Sequence, residues 1–162
     1  MAKVRTLMLM GPGTNCDFET KDAFEQAGSE VDAALVTEIL RGGKSLTGYQ
    51  ILIIPGGFTY GDDISAGKIM ANEIRLRLGD DIRKFVADGR LVMGVCNGFQ
   101  VLVKTGILPG LKGHGLQPIT LTANDSGKFE CRWIYLKINE NSPCVFTRGI
   151  RSLYIPVNHG EG

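Results

Sequence analysis

Arg90-Leu91-Val92-Met93-Gly94-Val95-Cys96-Asn97-Gly98-Phe99-Gln100-Val101-Leu102-Val103-Lys104-Thr105 passes from one apolar run to another through a single cysteine, with a glycine two residues to either side. Arg90 to Val95 reads as a buried strand, and Asn97 to Thr105 as a helix with Phe99, Leu102 and Val103 along one side. The glycines stand where close backbone packing excludes a Cβ, so the stretch has the form of a nucleophile elbow: strand, sharp turn carrying the thiol, helix. A sulfur in that position feels the unpaired amides of the helix start, which favour the thiolate. The same amides can hold a developing oxyanion. The plain alternative is a small hydrophobe plugging a tight turn, as free cysteines often do.

The same punctuation recurs upstream. Thr6 to Met10 is a short apolar run that stops at Gly11-Pro12-Gly13-Thr14-Asn15, and a helix follows with Thr20, Ala23, Phe24 and Ala27 on one face before Gly28 ends it. Val31 to Val36 reads as a second strand and Gln50 to Ile54 as a third, halted by Pro55-Gly56-Gly57. Such continuous runs suit strands covered on both faces, as in a parallel sheet flanked by helices. Asp80 is placed to cap a helix carrying Ile82, Phe85 and Val86 at i, i+3, i+4, with Gly89 as its left-handed stop. After Pro109 the pattern changes, and Phe129 to Ile138 and Arg151 to Val157 read as longer strands without helices between them. The fold class expected is therefore α/β, a mostly parallel sheet flanked by helices with a strand-rich C-terminal part, in one domain over residues 1–162.

In a parallel sheet the turns leaving strand C-termini gather on one edge, where ligands bind. Gly11 to Asn15, Pro55 to Gly61 and Cys96 are thus expected to face one pocket. Adjacent glycines at 56 and 57 can leave an amide pointing at a ligand, a second oxyanion donor, against the plainer reading of a surface loop with two aromatics tucked inward.

Composition narrows the partners. Eighteen Lys plus Arg against seventeen Asp plus Glu give a net charge of +1, without the basic footprint of a nucleic-acid binder. The N-terminal apolar run is too short for a signal-peptide core or a spanning helix, so no membrane partner is expected. Cysteines at 16, 96, 131 and 144 form no CxxC pair, which suits reduced thiols and a cytoplasmic location. Two histidines and scattered cysteines offer no metal site. Gly42-Gly43-Lys44-Ser45 looks like the end of a phosphate-binding loop, but Glu38 stands where the pattern requires glycine, and ATP binding there is rejected. Cys16 is expected to pack in the core or a turn, and His114 to be a solvated loop side chain.

Four blocks carry a resemblance: Gly11-Pro12-Gly13-Thr14-Asn15-Cys16-Asp17, Pro55-Gly56-Gly57-Phe58-Thr59-Tyr60-Gly61-Asp62, Gly94-Val95-Cys96-Asn97-Gly98-Phe99-Gln100 and His159-Gly160-Glu161-Gly162. In that order they resemble the class I, triad-type glutamine amidotransferases, a flavodoxin-like glutaminase fold. Phe58 to Asp62 and Asn97 to Gln100 favour the branch that serves purine biosynthesis. The resemblance implies that Cys96 attacks the side-chain amide of glutamine, and that backbone amides of Gly57 and Asn97 form the oxyanion hole. Gly56, Phe58 and Gln100 would hold the substrate. Ammonia would pass to a separate synthetase subunit, which would carry ATP and Mg, so that no cofactor is expected on this chain.

A cysteine glutaminase needs a base for the thiol proton and an acid for the departing nitrogen. His159 and Glu161 have the spacing of such a pair, yet in the family the roles belong to a later His-Pro-Glu motif, and none occurs in these 162 residues. The expectation is that a C-terminal segment is missing, that turnover is impaired, and that His159 and Glu161 form a loop near the active site or partner surface. Two rivals stand beside this reading: a non-catalytic interaction module, and another elbow-cysteine hydrolase of similar fold.

Overall fold

β1 (Arg5–Met10) is the most deeply buried strand, with Thr6, Leu7, Met8 and Leu9 at most 2% exposed. It pairs in parallel with β2 (Glu30–Leu35) on one side and β3 (Ile51–Ile54) on the other, and β3 pairs in parallel with β4 (Leu91–Gly94). The order β2-β1-β3-β4 is that of a doubly wound sheet. The computed structural model describes residues 3–110 and 116–162, which divide into two compact units, Met1–Leu121 and Thr122–Gly162.

The helices of the first unit are α1 (Asp17–Gln26), α2 (Val36–Leu40), α3 (Lys68–Arg77), α4 (Gly79–Ala87) and α5 (Asn97–Thr105). Alternate residues Leu7, Leu9, Leu52 and Ile54 share one core with Ile74 of α3, Ile82 and Phe85 of α4 and Leu102 of α5. Each such side chain, taken fully out of water, contributes roughly 1.5–3 kcal/mol to the hydrophobic term. This core sets the sheet and α5 in fixed relation, and so fixes the turn between β4 and α5.

Several expectations are corrected. β4 is an edge strand of the described sheet and is only half-buried, because hydrogen-bonded backbone covers it on one side alone. α1 buries no residue, and Ala23 and Ala27 are exposed. Leu102 and Val103 are buried as expected, but Phe99 is 42% exposed, and the polar residues Asn97, Gln100, Lys104 and Thr105 are buried with them, so α5 is covered on nearly all sides rather than along one face. Asp80 lies in the first turn of α4 rather than at its cap, which is Leu78, and pairs with Arg83 three residues on. Gly89 does take the left-handed conformation, at φ 76°. α2 and α3 were not anticipated; in α3, Met70, Ala71 and Ile74 form a buried stripe, but exposed Leu76 blurs the period. His114 lies outside the described residues.

In the second unit β5 (Glu130–Lys137) and β6 (Ser152–His159) pair antiparallel, with Tyr135 opposite Tyr154 and Trp133 opposite Pro156. Along β6, Leu153, Ile155 and Val157 are half-buried and alternate with exposed Tyr154 and Pro156. Tyr154 stacks between Trp133 and Tyr135, with ring centroids 4.9 and 4.5 Å away, the cross-strand contact that aligns an antiparallel ribbon.

Candidate active site

Cys96 adopts φ 49°, ψ −111°, a conformation that costs a non-glycine residue on the order of 1–3 kcal/mol and persists only where its surroundings impose it. Here they do. Val95 N–H donates to Ile54 O (3.1 Å), Gly98 N–H to Val95 O (2.8 Å) and Gln100 N–H to Cys96 O (3.1 Å), so β3 holds one side of the turn and α5 the other. A Cβ on Gly98 would collide with the Ile54 carbonyl, and one on Gly94 would sit 2.5 Å from Gly98 O. The first turn of α5 therefore lies directly on the end of β3, and the thiol is thrown out as an exposed residue.

The glycine turns after β1 and β3 are laced together beside it. Thr14 and Gly57 form an antiparallel bridge, with Phe58 N–H donating to Gly13 O (3.1 Å), Tyr60 N–H to Pro12 O (2.7 Å) and Cys16 N–H to Gly56 O (3.3 Å). Gly57, at φ 138°, is pressed against Asn15, whose backbone nitrogen would lie 2.7 Å from any Cβ there. A Cβ on Gly56 would lie 3.4 Å from Cys96 Cβ and 3.6 Å from Cys16 Sγ. Cys16, expected in the core or a turn, is instead exposed and shares this edge with Cys96, because its amide is tied to the Gly56 carbonyl.

The thiol of Cys96 departs from the sequence expectation. Partial burial is the largest influence and pushes its pKa up; the Asn97 backbone N–H, which donates to the sulfur, pulls it down, and the negative charge of Asp62 raises it further. The helix-start amide is present and aimed at the sulfur, as the elbow requires, but it does not win. The pKa of Cys16 is likewise raised, by burial first and then by Glu19 and Cys96.

Asn97, Thr59 and Gln100 are buried beneath the turn, at 1%, 2% and 5% exposure. Asn97 Oδ1 accepts from Thr59 N–H (3.3 Å) and Thr59 Oγ1 (2.6 Å), and its Nδ2 donates to Asp62 Oδ1 (3.0 Å) and Gln100 Oε1 (3.2 Å). Asp62 Oδ1 also accepts from Gly67 N–H (3.2 Å), and buried Lys104 donates from Nζ to Ala66 O (2.6 Å), so the chain entering α3 is held on α5. Phe58 is 51% exposed at the same edge. Tyr60 donates to Glu73 Oε2 (2.6 Å), and burial together with that carboxylate pushes its pKa up to about 12. Thr59 and Asp62 have no role that their block in the sequence assigns; the signal there is only that polar residues follow paired glycines, and their meeting with Asn97 depends on the fold.

His159 and Glu161 belong to the second unit. His159 Nδ1 is 2.9 Å from Asn124 Oδ1, and Asn124 Nδ2 donates to His159 O (2.8 Å); Glu161 bridges Ala123. Lys44, in the rejected phosphate-loop stretch, donates to Ala33 O (2.5 Å). Among the described residues no three His, Cys, Asp or Glu side chains are grouped to hold a metal ion, and no helix is long and apolar enough to cross a membrane.

The chain is similar to proteins that bear a functional name. A phosphoribosylformylglycinamidine synthase subunit PurQ from Dehalococcoides mccartyi is 58% identical over the whole chain, which covers 63% of that relative. One from Methanococcus maripaludis strain C5 is 42% identical over 98% of the chain and 59% of the relative. The chain thus spans about three-fifths of the length of these curated relatives. The structure of PurLQS from Thermotoga maritima superposes with a TM-score of 0.77 at 32% identity, over 99% of this chain and 68% of that one. The model of the CobB/CobQ-like glutamine amidotransferase domain matches residues 3–162, and the chain belongs to that family.

Proposed function

We propose that this chain is the glutamine-hydrolysing part of a phosphoribosylformylglycinamidine synthase, acting in the cytoplasm in purine biosynthesis. The reading rests on one observation above the rest: Cys96 stands exposed at a strained strand-to-helix turn with the Asn97 N–H donating to its sulfur, beside the Gly56-Gly57 turn. The sulfur attacks the side-chain amide carbon of glutamine, and the carbonyl electrons move onto oxygen, where the backbone amides of Asn97 and Gly57 receive them. As this intermediate collapses, the proton taken from the thiol passes to the nitrogen, the C–N bond breaks, ammonia leaves and a glutamyl thioester remains, which water cleaves to glutamate, returning the thiol. Gly56, Phe58 and Gln100 line or support the substrate site. Ammonia passes to a synthetase partner that holds ATP and Mg; the relatives' name, a synthase subunit, supports a partner.

The raised pKa of Cys96 means that the thiol must lose its proton to a base as it attacks, and no residue of this chain is assigned that role. Alkylation by a glutamine-mimicking chloroketone, read by peptide mass spectrometry, tests the proposal. Cys96 is expected to be labelled ahead of Cys16, Cys131 and Cys144, with free glutamine protecting it. Equal labelling of the four, or no protection, would favour the interaction module instead.

A further inference from the structure

The stretches Phe58 to Asp62 and Asn97 to Gln100 are far apart in sequence, yet one side chain joins them. The Asn97 carboxamide offers two acceptor sites and two donor hydrogens, and all four are matched: Thr59 N–H and hydroxyl on Oδ1, Asp62 and Gln100 on Nδ2. Its orientation is not free. A backbone N–H can only donate and an ionised carboxylate can only accept, so turning the amide over would set donor against donor at Thr59 and acceptor against acceptor at Asp62. Thr59 lies two residues after Gly57, and Asn97 is itself the first residue of α5.

We infer that Asn97 has a second role through its side chain: it is the positioning residue that holds the 55–62 turn against the elbow and sets the gap between the Gly57 and Asn97 amides across which an oxyanion forms. The inference rests on the acyl-transfer reading of the site. The chemistry also explains the residue type. Aspartate would place a second carboxylate against Asp62, an aliphatic residue would strand Thr59 N–H and leave Asp62 Oδ1 with Gly67 N–H alone, and glutamine is one methylene too long for the same contacts. Gln100 then serves as the buried acceptor that completes the clamp.

The test measures second-order rates of Cys96 modification in the intact chain and in Asn97→Ala and Thr59→Val, with three reagents. The glutamine chloroketone and chloroacetone both present a carbonyl whose capture develops an oxyanion; iodoacetamide alkylates by direct displacement and develops none. Loss of one oxyanion donor typically costs about 10²-fold or more, so Asn97→Ala is expected to lower both ketone rates by about that factor while iodoacetamide changes by less than about threefold. Thr59→Val, which removes only the hydroxyl contact, should move the same ratio in the same direction by less, and it covers the case in which Asn97→Ala fails to fold. An equal fall with all three reagents, or no fall with the ketones, overturns the clamp. If wild-type Cys96 takes the glutamine ketone no faster than chloroacetone, the glutamine reading fails instead, and the clamp is judged on chloroacetone against iodoacetamide.

Discussion

At Cys96 two effects of opposite sign act on one proton. Removing a thiolate from water is unfavourable, and a neighbouring carboxylate adds to that, while a helix-start N–H stabilises the charge. The sequence places the amide correctly but carries no measure of desolvation and does not bring Asp62 near the sulfur, so it predicts the wrong direction of shift. Asp62→Asn removes the charge while keeping an oxygen for Asn97 Nδ2 to meet. Since a nearby negative charge raises a thiol pKa, its removal lowers it. The pH midpoint of Cys96 alkylation by iodoacetamide is therefore expected to lie above that of a model cysteine peptide in the wild type and to fall in the variant. A midpoint unchanged or raised in Asp62→Asn would show that the carboxylate does not act on the sulfur. Cys16 is the other titrating group beside this thiol, and Cys16→Ser serves as the control.

Between elements, the decisive contact is α5 on the end of β3. Gly98 has no room for a Cβ against the Ile54 carbonyl, whereas Gly89, at the end of α4, has open space around it. Gly98→Ala must push the helix off the strand and is expected to destabilise by about 3 kcal/mol or more in urea unfolding. Gly89→Ala meets only its unfavourable φ of 76°, worth roughly 1 kcal/mol. Equal losses would mean that α5 does not rest on β3. Strand and helix identities were legible here because short apolar runs ended in turns rich in glycine and proline. The nearly complete covering of α5 was not, because periodicity marks one apolar face and does not show that the polar residues Asn97, Gln100, Lys104 and Thr105 are buried as well.

Across the molecule, the sheet order decides what meets at the site. β1, β3 and β4 are successive parallel neighbours, so the turns at their C-terminal ends emerge side by side and Gly13, Gly56 and Cys96 meet although they are far apart in the chain. Acid–base help is worth typically ~10² to 10⁴-fold. These 162 residues contain no His-Pro-Glu sequence, and His159 is already engaged by Asn124 in the second unit. His159→Ala is therefore expected to change glutamate release by less than about tenfold. A fall of about 10²-fold or more in that variant would assign the base to His159. What the sequence by itself determined is the elbow, the strands that feed it and the family, because glycine spacing and apolar runs are local and each turn obeys its own sterics. What only the tertiary structure decided is the protonation of the thiol, the exposure of Cys16 and the clamp of Asn97 on Thr59 and Asp62. Desolvation, charge proximity and hydrogen-bond partnership depend on distances between residues that the chain order keeps apart.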